Sequence, residues 1–298
     1  MENPIFFSSD GLRLAGVLRY LEGFNEPLPA VLLVHGSLEQ DRDGNLVKRR
    51  DGKPAFKKNF FMEISRRLCA EGFATFSWDR RGAGESEVPA DGGGYLADVR
   101  DAKAAYQALS SQKNVDPERV AVLGQSAGVY TACLLAKEDE RPKAYVLQGE
   151  LYRDYADMMA FNYRRVVDYA QKSPENLCWV EENDLLGLVM GLNLSALEEG
   201  AMMGEAEHDL SYKGRTWRLR HDPLCYLPEY APRNQFEYIQ KPALIIHGAC
   251  DLNVPVEDAF MIELELKKHG NDDVELAIIP EADHSFQEIA ESEDQRLR

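Results

Sequence analysis

Arg119-Val120-Ala121-Val122-Leu123-Gly124-Gln125-Ser126-Ala127-Gly128 is the stretch that decides how this chain is read. Residues 120–123 are a short apolar run, as in a buried strand. Gly-Gln-Ser-Ala-Gly follows directly, and residues 129–136 carry the small and apolar positions of a helix. Strand, sharp turn and helix with a serine at the apex is the setting of a nucleophile elbow. The glycines have a steric cause. The serine backbone is strained there, and strand and helix pass so closely that a Cβ at 124 or 128 would clash.

Outward from that stretch, the chain alternates short apolar runs with helical patterns. Residues 5–7 and 12–20 read as an antiparallel pair around Ser8-Ser9-Asp10-Gly11. Residues 30–34 are continuously apolar, as in a central strand buried on both faces, and end at His35-Gly36-Ser37. A helix over 59–70, a strand over 73–78 ending in Asp79-Arg80-Arg81-Gly82-Ala83-Gly84-Glu85-Ser86, and a helix over 96–109 follow. After the elbow comes a strand over 144–147 ending at Gly149-Glu150. From Leu151 to about Glu237 the rhythm changes: strand signals vanish, and Tyr, Met, Trp and Leu recur at helical spacing, which predicts a helical insertion. The alternation resumes with a strand at 243–246, a helix over 256–268, a strand at 274–279 and a last helix after His284. Such alternation implies a mostly parallel sheet covered on both faces.

Composition bounds the function. At 298 residues the chain can form one large α/β domain with an insertion, or two domains. Its 44% hydrophobic and 29% charged residues are those of an ordinary globular protein. A formal net charge of −17 argues against nucleic acid as a partner. No basic stretch followed by a long apolar run opens the chain, so no signal peptide is expected, and no apolar stretch reaches the roughly 18 residues of a membrane span. Five cysteines without CxxC spacing suggest reduced thiols and a cytoplasmic location, not a metal site or disulfide framework.

A serine hydroxyl needs a base to become a nucleophile, and the base needs an orienting carboxylate. With a nucleophile elbow the order along the chain is serine, acid, histidine. Of six histidines, His35 and His247 each precede a glycine at a strand end, and His208, His221 and His269 fall in the insertion or late in a helix. His284 follows the last strand and is the expected base. Asp251, in Ile-His-Gly-Ala-Cys-Asp-Leu-Asn-Val-Pro, is the first choice for the acid; Glu150 is a rival and Asp283 ranks third. Acyl transfer also requires two donors for the developing oxyanion. The Ala127 N–H is expected to be one, and the Ser37 N–H, with Leu38 next to it, the other.

In these motifs and their order the chain resembles the α/β-hydrolases over essentially the whole core. Gly36-Ser37-Leu38-Glu39-Gln40-Asp41-Arg42 further resembles the Gly-Ser-Gly-Pro-Gln-Asp-Arg loop of a bacterial esterase and acyl-peptidase-like subgroup, with Leu38 and Glu39 in place of Gly-Pro. The resemblance implies an eight-stranded, mostly parallel sheet with helices on both faces. It implies a core over 1–150 and 238–298, a helical lid over 151–237, and Leu38 and Gln125 at the substrate pocket. Asp79 to Ser86, with Asp41 and Arg42, is expected to support the loop. The implied activity is carboxylic-ester hydrolysis through an acyl-enzyme, without cofactor or metal, on a small-molecule ester; a homodimer is compatible with the chain. An amidase, peptidase or thioesterase would use the same machinery. A non-catalytic binding protein on this fold is disfavoured because serine, acid and histidine are all present.

Overall fold

A computed structural model describes residues 1–23, 25–47, 57–89, 94–220 and 222–288. Strands β1 (Glu2–Ser9) and β2 (Leu12–Arg19) pair antiparallel around Asp10-Gly11, both at positive φ. Next come β3 (Leu28–Val34), β4 (Ala74–Trp78), β5 (Val115–Gln125) and β6 (Tyr145–Gln148). Strands β7 (Glu207–Tyr212) and β8 (Arg215–Arg220) pair only with each other, and β9 (Ala243–Gly248) and β10 (Val274–Ile279) complete the set. The main sheet has eight strands in the order β1-β2-β4-β3-β5-β6-β9-β10. From β4 through β3, β5 and β6 to β9 the pairing is parallel. Residues Ala30 to Val34 of β3 are all buried, which explains the unbroken apolar run: each large aliphatic side chain buried there contributes about 1.5–3 kcal/mol.

The chain divides into two compact units. The first comprises Met1–Glu150, Phe236–Ile246 and Glu263–Ala277. Its helices α1 (Phe60–Ala70) and α2 (Tyr95–Ser110) each bury one face, whereas α3 (Gly128–Glu138) is buried nearly all round over its first two turns. On α2 that face is Val99, Ala102, Tyr106 and Leu109 with Ala97 and Ala105, at the three- and four-residue spacing of an amphipathic helix.

The second unit comprises Leu151–Gln235, His247–Ile262 and the chain from Ile278 onward. It contains α4 (Tyr155–Gln171), α5 (Pro174–Asn183), α6 (Leu185–Leu192) and α7 (Leu194–Met202). Ser173 caps α5 by accepting from the Asn176 N–H, with Pro174 in the first turn, and Asp184 caps α6 in the same way through Gly187. The apolar residues at helical spacing build this segment's own cores. Met159, Val189, Met190, Leu197, Leu210 and Leu219 form one, with Tyr155, Met158 and Tyr163 against it; Val166, Tyr169, Val180 and Leu188 form another.

The segment is not wholly helical, because it includes the β7–β8 hairpin. Its turn, Lys213-Gly214, has positive φ at both residues (47° and 78°), as a type I′ hairpin turn requires. Glycine supplies one of these without cost. Lysine is outside the usual Asn/Asp/Gly set, so the turn gave no sequence signal. The last helix expected after His284 does not begin within the described residues either: 284–288 are turn and bridge, Ala282 pairing with Glu288, and 289–298 lie outside them.

Candidate active site

Ser126 stands between the end of β5 and the start of α3 at φ 54°. A left-handed backbone costs a non-glycine residue roughly 1–3 kcal/mol and persists only where the surroundings impose it. They do so by close approach. A Cβ on Gly124 would meet the backbone of Gly128 and Val129, and a Cβ on Gly128 would meet the carbonyls of Val34 and His35. The Ser126 N–H donates to the Gln148 carbonyl at 2.7 Å, and its own carbonyl accepts from Val129 at 2.9 Å. Ala127 is the N-cap of α3, and no side chain caps that end, so Ala127 sits where the helix dipole favours negative charge.

The loop after β3 lies against this turn. The Gly36 N–H donates to Gln125 Oε1 at 3.0 Å, and a Cβ on Gly36 would come 3.1 Å from Ser126 Cβ. Gln125, expected at the substrate pocket, thus spends its amide oxygen on joining loop to elbow. Leu38 is a non-glycine residue at φ 74° and 39% exposed, with Ser37 and Glu39 exposed beside it. Three carbonyls of the loop are held by side chains: Gly36 O and Leu38 O by Arg80 Nη1, at 2.8 and 2.7 Å, and Ser37 O by Gln40 Nε2 at 2.9 Å. Buried Asp79 receives Arg42 through its backbone N–H at 2.7 Å and its guanidinium, together with the Glu85 N–H at 2.8 Å. This ion pair raises the pKa of Arg42 above its ordinary value. Asp41 turns the loop by accepting from the N–H groups of Asp43 and Asn45. Asp41, Arg42 and residues 79–86 therefore carry structure.

In the second unit, the loop after β9 brings Asp251 to His284. His284 Nδ1 is 2.6 Å from Asp251 Oδ2, and the Asp251 side chain is fully buried. Oδ1 accepts from the N–H groups of Asn253 and Val254, at 2.7 and 2.9 Å. The two loops are stitched by backbone bonds from Ala249 to Ile279 and from Cys250 to Ala282, and Gly248 leaves no room for a Cβ against the carbonyls of Ala282 and Asp283. His247, which stands before Gly248 at the end of β9, adds a residue to this site. It is fully buried, with Nε2 3.1 Å from the Val254 carbonyl and 3.5 Å from Asp251 Oδ2. Burial pushes its pKa down, so it faces the carboxylate as a neutral ring. Its only sequence signal was its place in His-Gly-x-x-Asp.

The alternatives are placed differently. Asp283 Oδ1 accepts from the N–H groups of Ser285 and Gln287, both at 2.8 Å, which shapes the turn carrying His284. Glu150 is fully buried, and its charge joins burial in raising the pKa of the Cys133 thiol. His35 is packed between Phe61 and Trp78, with ring centroids 5.0 and 4.9 Å away. Burial and, secondarily, the charge of Arg80 press its pKa to about 3, so it is neutral at physiological pH. His269 bonds Glu265 within α8 (Glu257–Lys268). Among the described residues, no group of three or more His, Cys, Asp or Glu side chains is arranged to hold a metal ion, and no helix is long and apolar enough to cross a membrane.

Residues 57–178 match the family model described as serine aminopeptidase, S33, and residues 202–298 match that of the prolyl oligopeptidase family. Solved structures similar over nearly the whole chain include acylaminoacyl peptidase from Pyrococcus horikoshii, 18% identical with a TM-score of 0.59. Est1E from Butyrivibrio proteoclasticus is another, 16% identical with a TM-score of 0.58. The chain has the α/β-hydrolase fold. The likeness covers 95% of this chain in both cases, but 37% of the peptidase against 91% of Est1E. Among curated proteins, the "uncharacterized peptidase YuxL" of Bacillus subtilis is 24% identical over 227 residues, covering 74% of this chain and 27% of that relative. The chain thus spans well under half the length of the peptidases it matches.

Proposed function

We propose that the chain is a serine hydrolase that cleaves carboxylic esters of small molecules through an acyl-enzyme. Ser126 Oγ attacks the ester carbonyl while His284 Nε2 takes its proton. Asp251 holds Nδ1 and stabilises the imidazolium. The N–H groups of Ser37 and Ala127 receive the oxyanion, with Leu38 and Gln125 beside the acyl group. Collapse of the tetrahedral intermediate expels the alkoxide, which leaves as alcohol with the proton from His284. Water then repeats the sequence and releases the acid. The observation that carries this reading is the 2.6 Å pairing of His284 Nδ1 with a fully buried Asp251 carboxylate. It commits one ring nitrogen to the acid and leaves Nε2 as the proton-transferring one.

Further support comes from the sheet. β5, β6 and β9 run parallel, so Ser126 and Asp251 both follow carboxyl ends of strands, where open α/β sheets bind ligands. The segment 151–237 serves in this account as a helical lid insertion, and 1–150 with 238–298 as the core domain. A cytoplasmic location fits five cysteines without CxxC spacing. A peptidase is the second reading, favoured by the two family matches, both described as peptidase families.

A panel of p-nitrophenyl esters of increasing acyl length, with an aminoacyl anilide and an acyl-thioester, separates the two. The expected result is turnover of at least one ester in preference to the anilide. Preference for the anilide replaces the ester reading by the peptidase one.

A further inference from the structure

We infer that Arg80 is a positioning residue for the oxyanion hole: its guanidinium sets the orientation of the peptide that carries the Ser37 N–H. The inference rests on the proposed acyl-transfer reading and names a residue that reading does not use.

The argument begins with the peptide group. Its atoms are coplanar and the bond is trans, so a carbonyl and the N–H of the following residue point in opposite directions. Whatever grips the Gly36 carbonyl therefore aims the Ser37 N–H the other way. Arg80 Nη1 grips it at 2.8 Å and bridges to the Leu38 carbonyl at 2.7 Å. The same guanidinium thus fixes the peptides on both sides of the exposed Ser37-Leu38 pair. Gln40 holds the Ser37 carbonyl between them.

The loop needs such a clamp. Leu38 sits at φ 74°, a strained conformation that a non-glycine residue keeps only where its surroundings impose it. Rotation of a neighbouring peptide would relieve that strain and turn the donor away. Arg80 is itself anchored. Its Nη2 pairs with Asp98 of α2, its backbone N–H donates to the Gln40 carbonyl at 3.0 Å, and its side chain is 20% exposed. Nη1 bridges the two carbonyls while Nη2 stays on Asp98, so the planar fork is fixed at both arms. An ammonium on a flexible stem has no second nitrogen and cannot grip the carbonyls and keep that anchor with the same geometry. Preorganised donors carry much of the stabilisation of an acyl-transfer transition state, and removing one costs about 10²–10³-fold in rate.

The test compares a p-nitrophenyl ester with its thionoester, in which sulfur replaces the carbonyl oxygen. Sulfur is a weak acceptor, so the thionoester draws little on the hole. For Arg80→Met we expect kcat on the ester to fall about 10²-fold with KM nearly unchanged. The fall on the thionoester should be several-fold at most, so the wild-type preference for the ester collapses. Arg80→Lys should restore only part of it. If Arg80→Met does not fold, as judged by thermal unfolding, Asp98→Asn loosens the same guanidinium and should show the same ester-selective loss at about tenfold. Equal losses on both substrates, or none, overturn the role of Arg80 while leaving ester hydrolysis standing. A wild-type chain inactive on the ester defeats the acyl-transfer reading, and this inference with it.

Discussion

The turn after β5 and the loop after β9 hold their side chains by different physical means. Ser126 is held by exclusion of volume: at Gly36, Gly124 and Gly128 a Cβ would run into the elbow or the backbone packed on it. Asp251 is held by hydrogen bonds, from two backbone N–H groups and His284, inside a fully buried site. Volume exclusion writes itself into the sequence, because only glycine fits. Backbone N–H donors do not, because almost any residue supplies one. Asn253 and Val254 leave no mark that they brace a carboxylate, and of that side only Gly248 carries a steric signature.

The largest effect should come from exchanging acids. Asp251→Asn keeps the shape but removes the charge that fixes the His284 tautomer, and kcat should fall about 10⁴-fold. Glu150→Gln should cost at most about tenfold. Steady-state kinetics of both variants on one ester decides between them. The reverse ranking would transfer the acid's role to Glu150 and leave Asp251 as a loop cap.

A smaller effect tests the steric half. Gly124→Ala forces a methyl group into the backbone of Gly128 and Val129, and should destabilise the fold by about 1–3 kcal/mol. Chemical denaturation measures this. A neutral result would mean that strand and helix are not held as closely as the glycines imply.

The smallest effect is set by pH. His35, whose carbonyl crowds Gly128, has its pKa pressed by burial from the ordinary 6.5 to about 3. The unfolded chain therefore takes up this proton first. Stability from His35 is complete above pH 6.5 and drains as pH falls toward 3, by about 1.4 kcal/mol per unit. Unfolding curves at pH 7 and pH 5 should show a wild-type advantage over His35→Asn that shrinks with acid. An advantage that grows would mean His35 is charged in the fold.

The same contrast explains what could be read in the sequence. The sheet was legible because burial on both faces demands continuous apolar runs such as 30–34, and the elbow because glycines at 124 and 128 admit no substitute. His284 and Asp251 followed from strand ends and chain order, and lie 2.6 Å apart. The β7–β8 hairpin was missed although His208 and Leu210 alternate with exposed Glu207, Asp209 and Ser211. Its Lys213-Gly214 turn carries no Asn or Asp, and its strands pack into a helical segment whose 3.6-residue pattern dominates. The clamp of Arg80 on Gly36 spans 44 residues of chain and is a matter of geometry alone.

The central claim, that Ser126 is an activated nucleophile, is tested most directly by reacting the intact chain with a fluorophosphonate and mapping the adduct by mass spectrometry. The account predicts one stoichiometric adduct on Ser126, formed far more slowly in His284→Ala. No adduct in the folded wild-type chain, or an adduct on another residue, would contradict it.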